Sequence, residues 1–293
     1  FFPLWVLIFA PICFSFPGWA AATDKVPCIA GYSVKNVADV DPRDAEAALK
    51  VWARELAVQW GFDLKISLYN STDRLIADFM DKKLDFITVT SIDYLRSPHL
   101  LKFKPEVTHY KDGKPTSRYV VLVNEQGLKN SPSGLKNKKL SIQKTNHLGQ
   151  MFLDNWLMRA KLPPSERFFS LTMEKSKESQ AILDVFFGQA DVCVVTDKAF
   201  HTMTELNPQV GQKLHVIAQS PDLITAVGIF RPDYPPDDKQ RAMKGMSNDY
   251  RNSERGKQIL LLFNVEKMDT FHESQLVSIR QLVTEYDRLK KTR

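Results

Sequence analysis

The chain has 293 residues, of which 43% are hydrophobic and 11% aromatic, so it can bury a large core and lacks the composition of a disordered segment. Its 40 Lys and Arg against 34 Asp and Glu give a net charge of +6, with both signs scattered along the chain. This pattern predicts a mildly basic surface and excludes the clustered basic stripe of a nucleic-acid-binding protein.

The first 22 residues carry no charged side chain and end in three alanines, directly before Thr23 and Asp24. An apolar stretch that ends in small residues resembles a secretory signal peptide, here without its basic start. A membrane anchor is the alternative, but prolines at positions 3, 11 and 17 interrupt the run and favour cleavage. We therefore predict a signal peptide over residues 1–22 and a periplasmic mature protein.

Short apolar strands alternate with longer helical stretches from Val26 onward. Asp41 and Pro42 have the residue types that begin a helix, and Gly61 ends it. The predicted elements are strand VPCIAGYSV, helix DPRDAEAALKVWARELAVQWGF, strand DLKISLYN, helix STDRLIADFMDKKL and strand DFITVT. This β-α-β-α-β order predicts a mainly parallel sheet with helices on both faces.

A second series of the same kind follows a hairpin-turn signal at Asp112-Gly113 and the apolar strand YVVLV. Its predicted elements are strand KKLSIQ, helix LGQMFLDNWLMRA, strand ERFFSLT, helix SKESQAILDVFFGQ and strand ADVCVVT, followed by strand QKLHVIAQS, the extended segment ITAVGIFRP and helices at 236–256 and 272–290. Two such series joined by two extended segments predict two lobes. We expect the hinge near Tyr119–Leu122 and Thr225–Ile229.

Two cysteines remain after residue 22, and each lies in an apolar run. Cys28 and Cys193 fall in strands of different predicted lobes, where a disulfide would lock the hinge, so we expect two free buried thiols. No CxxC, HExxH or paired Cys/His spacing is present, and the histidines are dispersed. We therefore predict neither a metal site nor a cofactor.

Hydroxyl and amide side chains stand between a strand and a helix at three places: TVTSIDYL at 88–95, QKTNHLG at 143–149 and VVTDKAF at 194–200. Capping is one interpretation, because Thr and Asn side chains accept hydrogen bonds from the first N–H groups of a helix. A ligand site is the other, since helix N-termini attract anions and ligands bind at the carboxyl ends of strands in open α/β sheets. These residues alone leave both open.

The order of four stretches resembles the phosphate-, phosphite- and phosphonate-type periplasmic solute-binding proteins of ABC transporters: AGYSV, LAVQWGFDLKISLYNSTDRLIADFMDKKLDFITVTSIDYL, SGLKNKKLSIQKTNHLGQMFLDNWL and ESQAILDVFFGQADVCVVTDKAF. The resemblance covers Val26 to Tyr234. It implies an α/β fold of the type II periplasmic binding proteins: two lobes, each a mainly parallel sheet flanked by helices, joined by a two-segment hinge. We expect lobe 1 at residues 23–119 and 226–293, and lobe 2 at residues 120–225.

The same resemblance implies which residues line the cleft between the lobes. The family commonly carries a Ser-Thr-Ser-Gly loop at the first helix of lobe 2, where this chain has Thr145-Asn146-His147-Leu148-Gly149. Core packing is the alternative role for Tyr32, and helix capping is the alternative for Asp197. The implied ligand-binding residues are Tyr32, Thr90, Ser91, Tyr94, Thr145, Asn146, His147, Thr196 and Asp197.

The implied function is capture of a small anionic ligand, a phosphonate-, phosphite- or phosphate-like oxyanion, and its delivery to an ABC transporter permease. An input module that reports ligand occupancy to a membrane sensor would share this fold. A secreted hydrolase using His147 with Thr145 is a third hypothesis, but no third orienting group is evident and the G-x-S-x-G, P-loop and dinucleotide patterns are absent. We predict a monomer without enzyme activity that binds no nucleic acid.

Overall fold

The structure is a computed structural model that describes residues 26–36, 42–60, 62–111, 113–124, 131–248 and 265–292. The predicted signal peptide, the predicted helix cap Asp41, the predicted helix end Gly61, the turn residue Asp112 and the end of the helix predicted at 236–256 lie outside these ranges. Within them, no helix combines the length and apolar character needed to span a bilayer.

The described strands and helices follow the predicted alternation. The strands are β1 (Val26–Ser33), β2 (Phe62–Tyr69), β3 (Phe86–Thr90), β4 (Val107–Tyr110), β5 (Thr116–Ser117), β6 (Tyr119–Asn124), β7 (Lys139–Gln143), β8 (Leu171–Lys175), β9 (Val192–Thr196), β10 (Leu214–Gln219), β11 (Leu223–Ile224), β12 (Ala226–Phe230) and β13 (Lys267–Thr270). The helices are α1 (Pro42–Trp60), α2 (Thr72–Met80), α3 (Ser91–Arg96), α4 (His147–Arg159), α5 (Ser165–Phe168), α6 (Glu178–Phe186), α7 (Asp197–Leu206), α8 (Pro208–Lys213), α9 (Pro236–Asn248) and α10 (Val277–Lys291).

The first sheet has the strand order β13-β4-β12-β3-β1-β2, and we call it and its helices lobe 1. Strands β1, β2 and β3 are parallel, as expected for strands connected through α1 and α2, whereas β12, β4 and β13 are antiparallel to their neighbours. Strand β12 is buried throughout because it lies in the middle of the sheet, which explains its continuous apolar sequence AVGIF.

The second sheet has the strand order β10-β6-β9-β7-β8, and we call it and its helices lobe 2. Strands β7, β8 and β9 are parallel, and β6 and β10 are antiparallel additions. Each lobe is therefore a mixed sheet whose parallel part is the predicted β-α-β-α-β series. The residue boundaries predicted for the two lobes stay a prediction.

The chain passes between the lobes through a two-stranded antiparallel sheet formed by β5 and β11. Arg118 and Asp222 form an ion pair of 3.1 Å beside it. The segments predicted as the hinge, Tyr119–Leu122 and Thr225–Ile229, lie mostly in β6 and β12, so the crossing residues directly precede both segments. Because β5 pairs with β11, the two chain segments that connect the lobes form a single two-stranded ribbon.

Helix α10 contacts both lobes and the hinge. Arg96 of α3 forms an ion pair with Asp287 of α10 at 2.8 Å. On the other side, the buried Asn155 of α4 donates from Nδ2 to the Leu282 carbonyl at 2.8 Å, and Arg159 pairs with Glu285. One cluster of buried apolar side chains runs from α2 and β3 through β11 and α10 to α4.

Local sequence pattern was misleading at ERFFSLT, which we predicted to be a strand. Residues Ser165–Phe168 form the short helix α5, and β8 begins only at Leu171. The Asp154 carboxylate of α4 accepts a hydrogen bond of 2.7 Å from Ser165 N, which stabilises the helix start from eleven residues earlier in the chain. Strands β4 and β13 were not predicted.

Both cysteines are free and buried in the structure. Cys28 lies in β1 of lobe 1 and Cys193 in β9 of lobe 2. Burial raises the pKa of the Cys28 thiol to about 11 and also raises the pKa of Cys193, so both thiols are protonated and unreactive at neutral pH.

Candidate ligand-binding cleft

A cleft of about 980 Å³ lies between the two lobes and is open to solvent. Lobe 1 contributes the junction of β3 with α3, the hinge contributes β5, and lobe 2 contributes the junction of β7 with α4, the end of β9 and the start of α6. The carboxyl ends of parallel strands from both sheets therefore meet at one cavity, which is where open α/β sheets bind ligands.

The lobe 1 wall is formed where β3 ends. Thr90 caps α3, because its Oγ1 accepts a hydrogen bond from Asp93 N at 3.1 Å. The Asp93 carboxylate lies within 3.1 Å of Lys35 Nζ and accepts a further bond of 3.2 Å from Thr72 Oγ1. Asp93 thus holds the Lys35 ammonium at the edge of the cleft.

The lobe 2 wall is built around Asn146, the N-cap of α4. Its Oδ1 accepts from Gly149 N at 2.9 Å, and its Nδ2 donates to the Val194 carbonyl of β9 at 3.0 Å. A Cβ atom at position 149 would lie 2.5 Å from Asn146 Oδ1, so glycine is required for this close approach. In QKTNHLG the capping residue is therefore Asn146, and it also joins α4 to β9.

Thr145 and His147 flank this cap and are exposed in the cleft. Thr145 Oγ1 has no hydrogen-bond partner among the described residues, and the Thr145 carbonyl accepts from His147 N at 2.9 Å. Partial burial lowers the pKa of His147, and the positive charge of Lys35 on lobe 1 lowers it further. His147 therefore gains a proton only below the pH at which an ordinary histidine does.

Thr196 ends β9 and caps α7, its Oγ1 accepting from Ala199 N at 3.2 Å. The same residue is held by Glu178 at the start of α6. Glu178 Oε1 accepts from Thr196 N at 2.6 Å, and Oε2 accepts from Thr196 Oγ1 at 2.7 Å. Thr196 is thus fixed by both neighbouring helices.

Basic side chains outnumber acidic ones around the cleft, although they are far apart in the sequence. The basic residues are Lys35, Arg96, Lys111, Lys114, Arg167, Lys177 and Lys290, and the acidic residues are Asp93, Asp154, Glu166 and Glu178. In the described part of the chain, no group of three or more His, Cys, Asp or Glu side chains could hold a metal ion. The excess of basic side chains favours an anionic ligand in the cleft.

The chain matches the family model of the phosphonate periplasmic substrate-binding proteins of ABC transporters over residues 36–276. It belongs to that family. This binding protein therefore binds substrate for transport and is not an enzyme, so the hydrolase hypothesis is wrong. Family membership places its work in the periplasm, as predicted. No curated protein matches the chain significantly.

Solved structures with a similar fold confirm the type II periplasmic binding protein architecture. A binding-protein component of an ABC phosphonate transporter from Pseudomonas aeruginosa has a TM-score of 0.60 at 15% identity, covering 92% of this chain and 89% of its own. PhnD1 from Prochlorococcus marinus in complex with methylphosphonate has 0.60 at 16%, covering 89% and 98%. XAC2383 from Xanthomonas citri bound to chloride has 0.64 at 13%, covering 91% and 99%.

The structure brings five of the nine predicted site residues of the binding protein to the cleft surface: Thr90, Thr145, Asn146, His147 and Thr196. These residues come from both lobes and from all three of the strand-to-helix junctions named above. Their part in ligand binding stays a prediction. Thr90, Asn146 and Thr196 also cap helices, so at these positions capping and cleft lining occur together.

The other four predicted residues do not line the cleft, and each has another role. Ser91 is buried and donates from Oγ to the Ile224 carbonyl at 2.6 Å, which ties α3 to the hinge. Tyr94 is buried and donates to the Phe103 carbonyl at 3.0 Å. Asp197 is exposed at the start of α7, where its N–H donates to the Arg118 carbonyl.

Tyr32 is buried behind the cleft, next to a cleft residue that sequence reasoning missed. Its hydroxyl lies 3.2 Å from His109 Nε2, and the two rings stack with centroids 5.8 Å apart. His109 is itself 6% exposed and lines the cleft. Burial lowers the pKa of His109 to about 4, so the imidazole is neutral at physiological pH. No local motif marks His109, because its partner lies 77 residues away.

Proposed function

We propose that this binding protein captures a small alkylphosphonate or a similar oxyanion between its lobes and delivers it to an ABC transporter permease. The observation that carries the proposal is the cleft itself, where Lys35 from lobe 1 and the start of α4 from lobe 2 border one cavity. The methylphosphonate complex of the similar PhnD1 structure supports this ligand class. Lys35 attracts the anion, and Thr145 Oγ1 and the N-terminal end of α4 offer hydrogen-bond donors to it.

The proposal includes how the protein reaches its place of work and how it moves. Residues 1–22 direct export and are then removed, and the mature protein acts as a monomer. Lobe 1 comprises residues 23–119 and 226–293, lobe 2 comprises residues 120–225, and the lobes close over the ligand by rotation about β5 and β11. The division of the strands into two sheets joined by one ribbon supports this arrangement.

Methylphosphonate is expected to stabilise the protein and to make it more compact. At 100 times its dissociation constant, a ligand that binds only the folded state adds about 2.7 kcal/mol to the free energy of unfolding. Lobe closure should also reduce the radius of gyration. Thermal melting and small-angle X-ray scattering with and without methylphosphonate measure both effects.

Methanesulfonate is the matched comparison, because it has a similar shape but has no second acidic proton and cannot become a dianion. Stabilisation by methanesulfonate and not by methylphosphonate would contradict the phosphonate proposal and identify a sulfonate as the ligand. An unchanged radius of gyration at saturating ligand would contradict lobe closure.

Replacing Thr145 with alanine is expected to weaken methylphosphonate binding by about 1–3 kcal/mol, the cost of leaving a buried ligand oxygen without its partner. The variant should keep the stability of the wild type, because Asn146 and not Thr145 caps α4. Isothermal titration calorimetry and urea unfolding test the two statements. Thr172→Ala, on the exposed strand β8 and outside the cleft, is the matched control. Loss of stability with unchanged affinity would assign Thr145 to helix capping.

A further inference from the structure

Glu178 is the acidic cleft residue that makes the shortest hydrogen bonds to another cleft residue. Its two carboxylate oxygens accept from the N–H and the hydroxyl of Thr196, at 2.6 and 2.7 Å. Both residues line the cleft, and Glu178 is partly buried at the first turn of α6. Glu178 therefore places a carboxylate at a cavity otherwise bordered mainly by basic side chains.

The contact between Glu178 and Thr196 also determines which hydrogen-bond donors of Thr196 are available to a ligand. A hydroxyl has one proton, and that of Thr196 points to Glu178 Oε2 while its oxygen accepts from Ala199 N. The N–H of Thr196 is occupied by Glu178 Oε1. Both donors of Thr196 are therefore turned away from the ligand, although the residue lies on the cleft surface.

We infer that Glu178 is a positioning residue that limits anion affinity, because it withdraws the Thr196 hydroxyl from the ligand and adds a negative charge beside it. The inference rests on the proposed function. Glu178 does not touch the anion in this account, because a carboxylate and an anionic phosphonate repel each other. It acts through Thr196. The residue thereby disfavours ligands whose negative charge extends to the α6 side of the cleft.

The variant Glu178→Gln separates this role from simple structural support. The amide oxygen of glutamine can still accept from Thr196 N, but its NH₂ group is a donor and needs an acceptor. Thr196 Oγ1 can accept from it only when its own proton turns elsewhere, and the cleft is the open direction. The variant should therefore gain a donor toward the ligand and lose a negative charge. We expect methylphosphonate to bind about tenfold more tightly, since hydrogen bonds to charged groups are among the stronger ones.

The experiment is isothermal titration of methylphosphonate into the wild type, Glu178→Gln, Glu166→Gln and Glu178→Gln in a Thr196→Val background. Glu166 lines the same cleft and is exposed, so its variant removes one negative charge without changing Thr196. Valine keeps the shape of threonine but removes the hydroxyl. Thermal melting shows that each variant is folded.

The inference is supported if Glu178→Gln increases the affinity for methylphosphonate more than Glu166→Gln does. Most of that increase must also disappear when Thr196 is replaced by valine. Equal increases in affinity for Glu178→Gln and Glu166→Gln would show that the loss of a negative charge explains the whole effect, and this would overturn the inference. Unchanged or weaker binding by folded Glu178→Gln would also overturn it, with the proposed function intact. A wild type that does not bind methylphosphonate would instead refute the proposed function, and the inference with it.

Discussion

Replacing Asn146 with alanine is expected to lower the free energy of unfolding by about 2–4 kcal/mol, the largest effect of any single cleft substitution we predict. The side chain is 7% exposed and makes two hydrogen bonds, one to Gly149 N and one to the Val194 carbonyl. Alanine removes a helix cap and also leaves a buried strand carbonyl without its donor. Urea unfolding followed by circular dichroism measures the change.

Two further variants identify the cause. Asn146→Asp keeps the acceptor for Gly149 N but replaces the donor to Val194 with a carboxylate oxygen, so it should retain the cap and lose the connection to β9. Asn207→Ala is the matched control for capping alone, because Asn207 caps α8 through one bond to Gln209 N. It should cost only about 0.5–2 kcal/mol. Equal costs for Asn146→Ala and Asn207→Ala would mean that the bond to Val194 contributes nothing.

The free energy of unfolding is expected to fall by about 3 kcal/mol between pH 6.5 and pH 4 because of His109 alone. In the folded protein the pKa of His109 is lowered to about 4 by burial, whereas the unfolded chain binds the proton near the ordinary value of 6.5. As the pH falls through this window, only the unfolded state gains the proton and is stabilised. Below pH 4 both states are protonated, and the decline stops.

Urea unfolding at a series of pH values tests this expectation against His109→Gln, which cannot titrate but can still form a hydrogen bond with Tyr32. The variant should lose the part of the pH dependence that falls between pH 6.5 and 4. His99→Gln is the control, because His99 is exposed. If His109→Gln and the wild type show parallel curves, His109 is protonated equally in both states and the neutral, buried imidazole is refuted.

Much of the fold could be predicted because its signals are local. Helix α2 is an example: Ser71 was expected to begin it, and Ser71 Oγ accepts from Arg74 N. The alternation of apolar strands with amphipathic helices likewise gave the two β-α-β-α-β series. The strand prediction for ERFFSLT failed because its first residues belong to a helix that begins at Ser165, whose N–H donates to Asp154, eleven residues earlier in the sequence. Strand propensity there competed with a contact that the local pattern does not contain.

The candidate site, like the fold, could be predicted only where its signals are local in the sequence. The three strand-to-helix junctions could be found because strand, polar residues and helix follow one another in the sequence. Which residue of QKTNHLG caps the helix could not be found, because the choice depends on Asn146 reaching Val194 across 48 residues. Glu178 was missed for a similar reason, since its partner Thr196 lies 18 residues further on.

Helix α10 gives the two lobes a third mechanical connection besides the hinge strands. The proposed rotation of the lobes about β5 and β11 would shift α10 against α3 or α4. Close-packed side chains move between discrete arrangements and do not deform continuously. In the proposed closure, the packing at Asn155 and Leu282 therefore limits which opening angles the protein can adopt. Under that proposal, the same packing also determines how much of the ligand's binding free energy is used to close the lobes, so the contact between α10 and α4 contributes to the affinity.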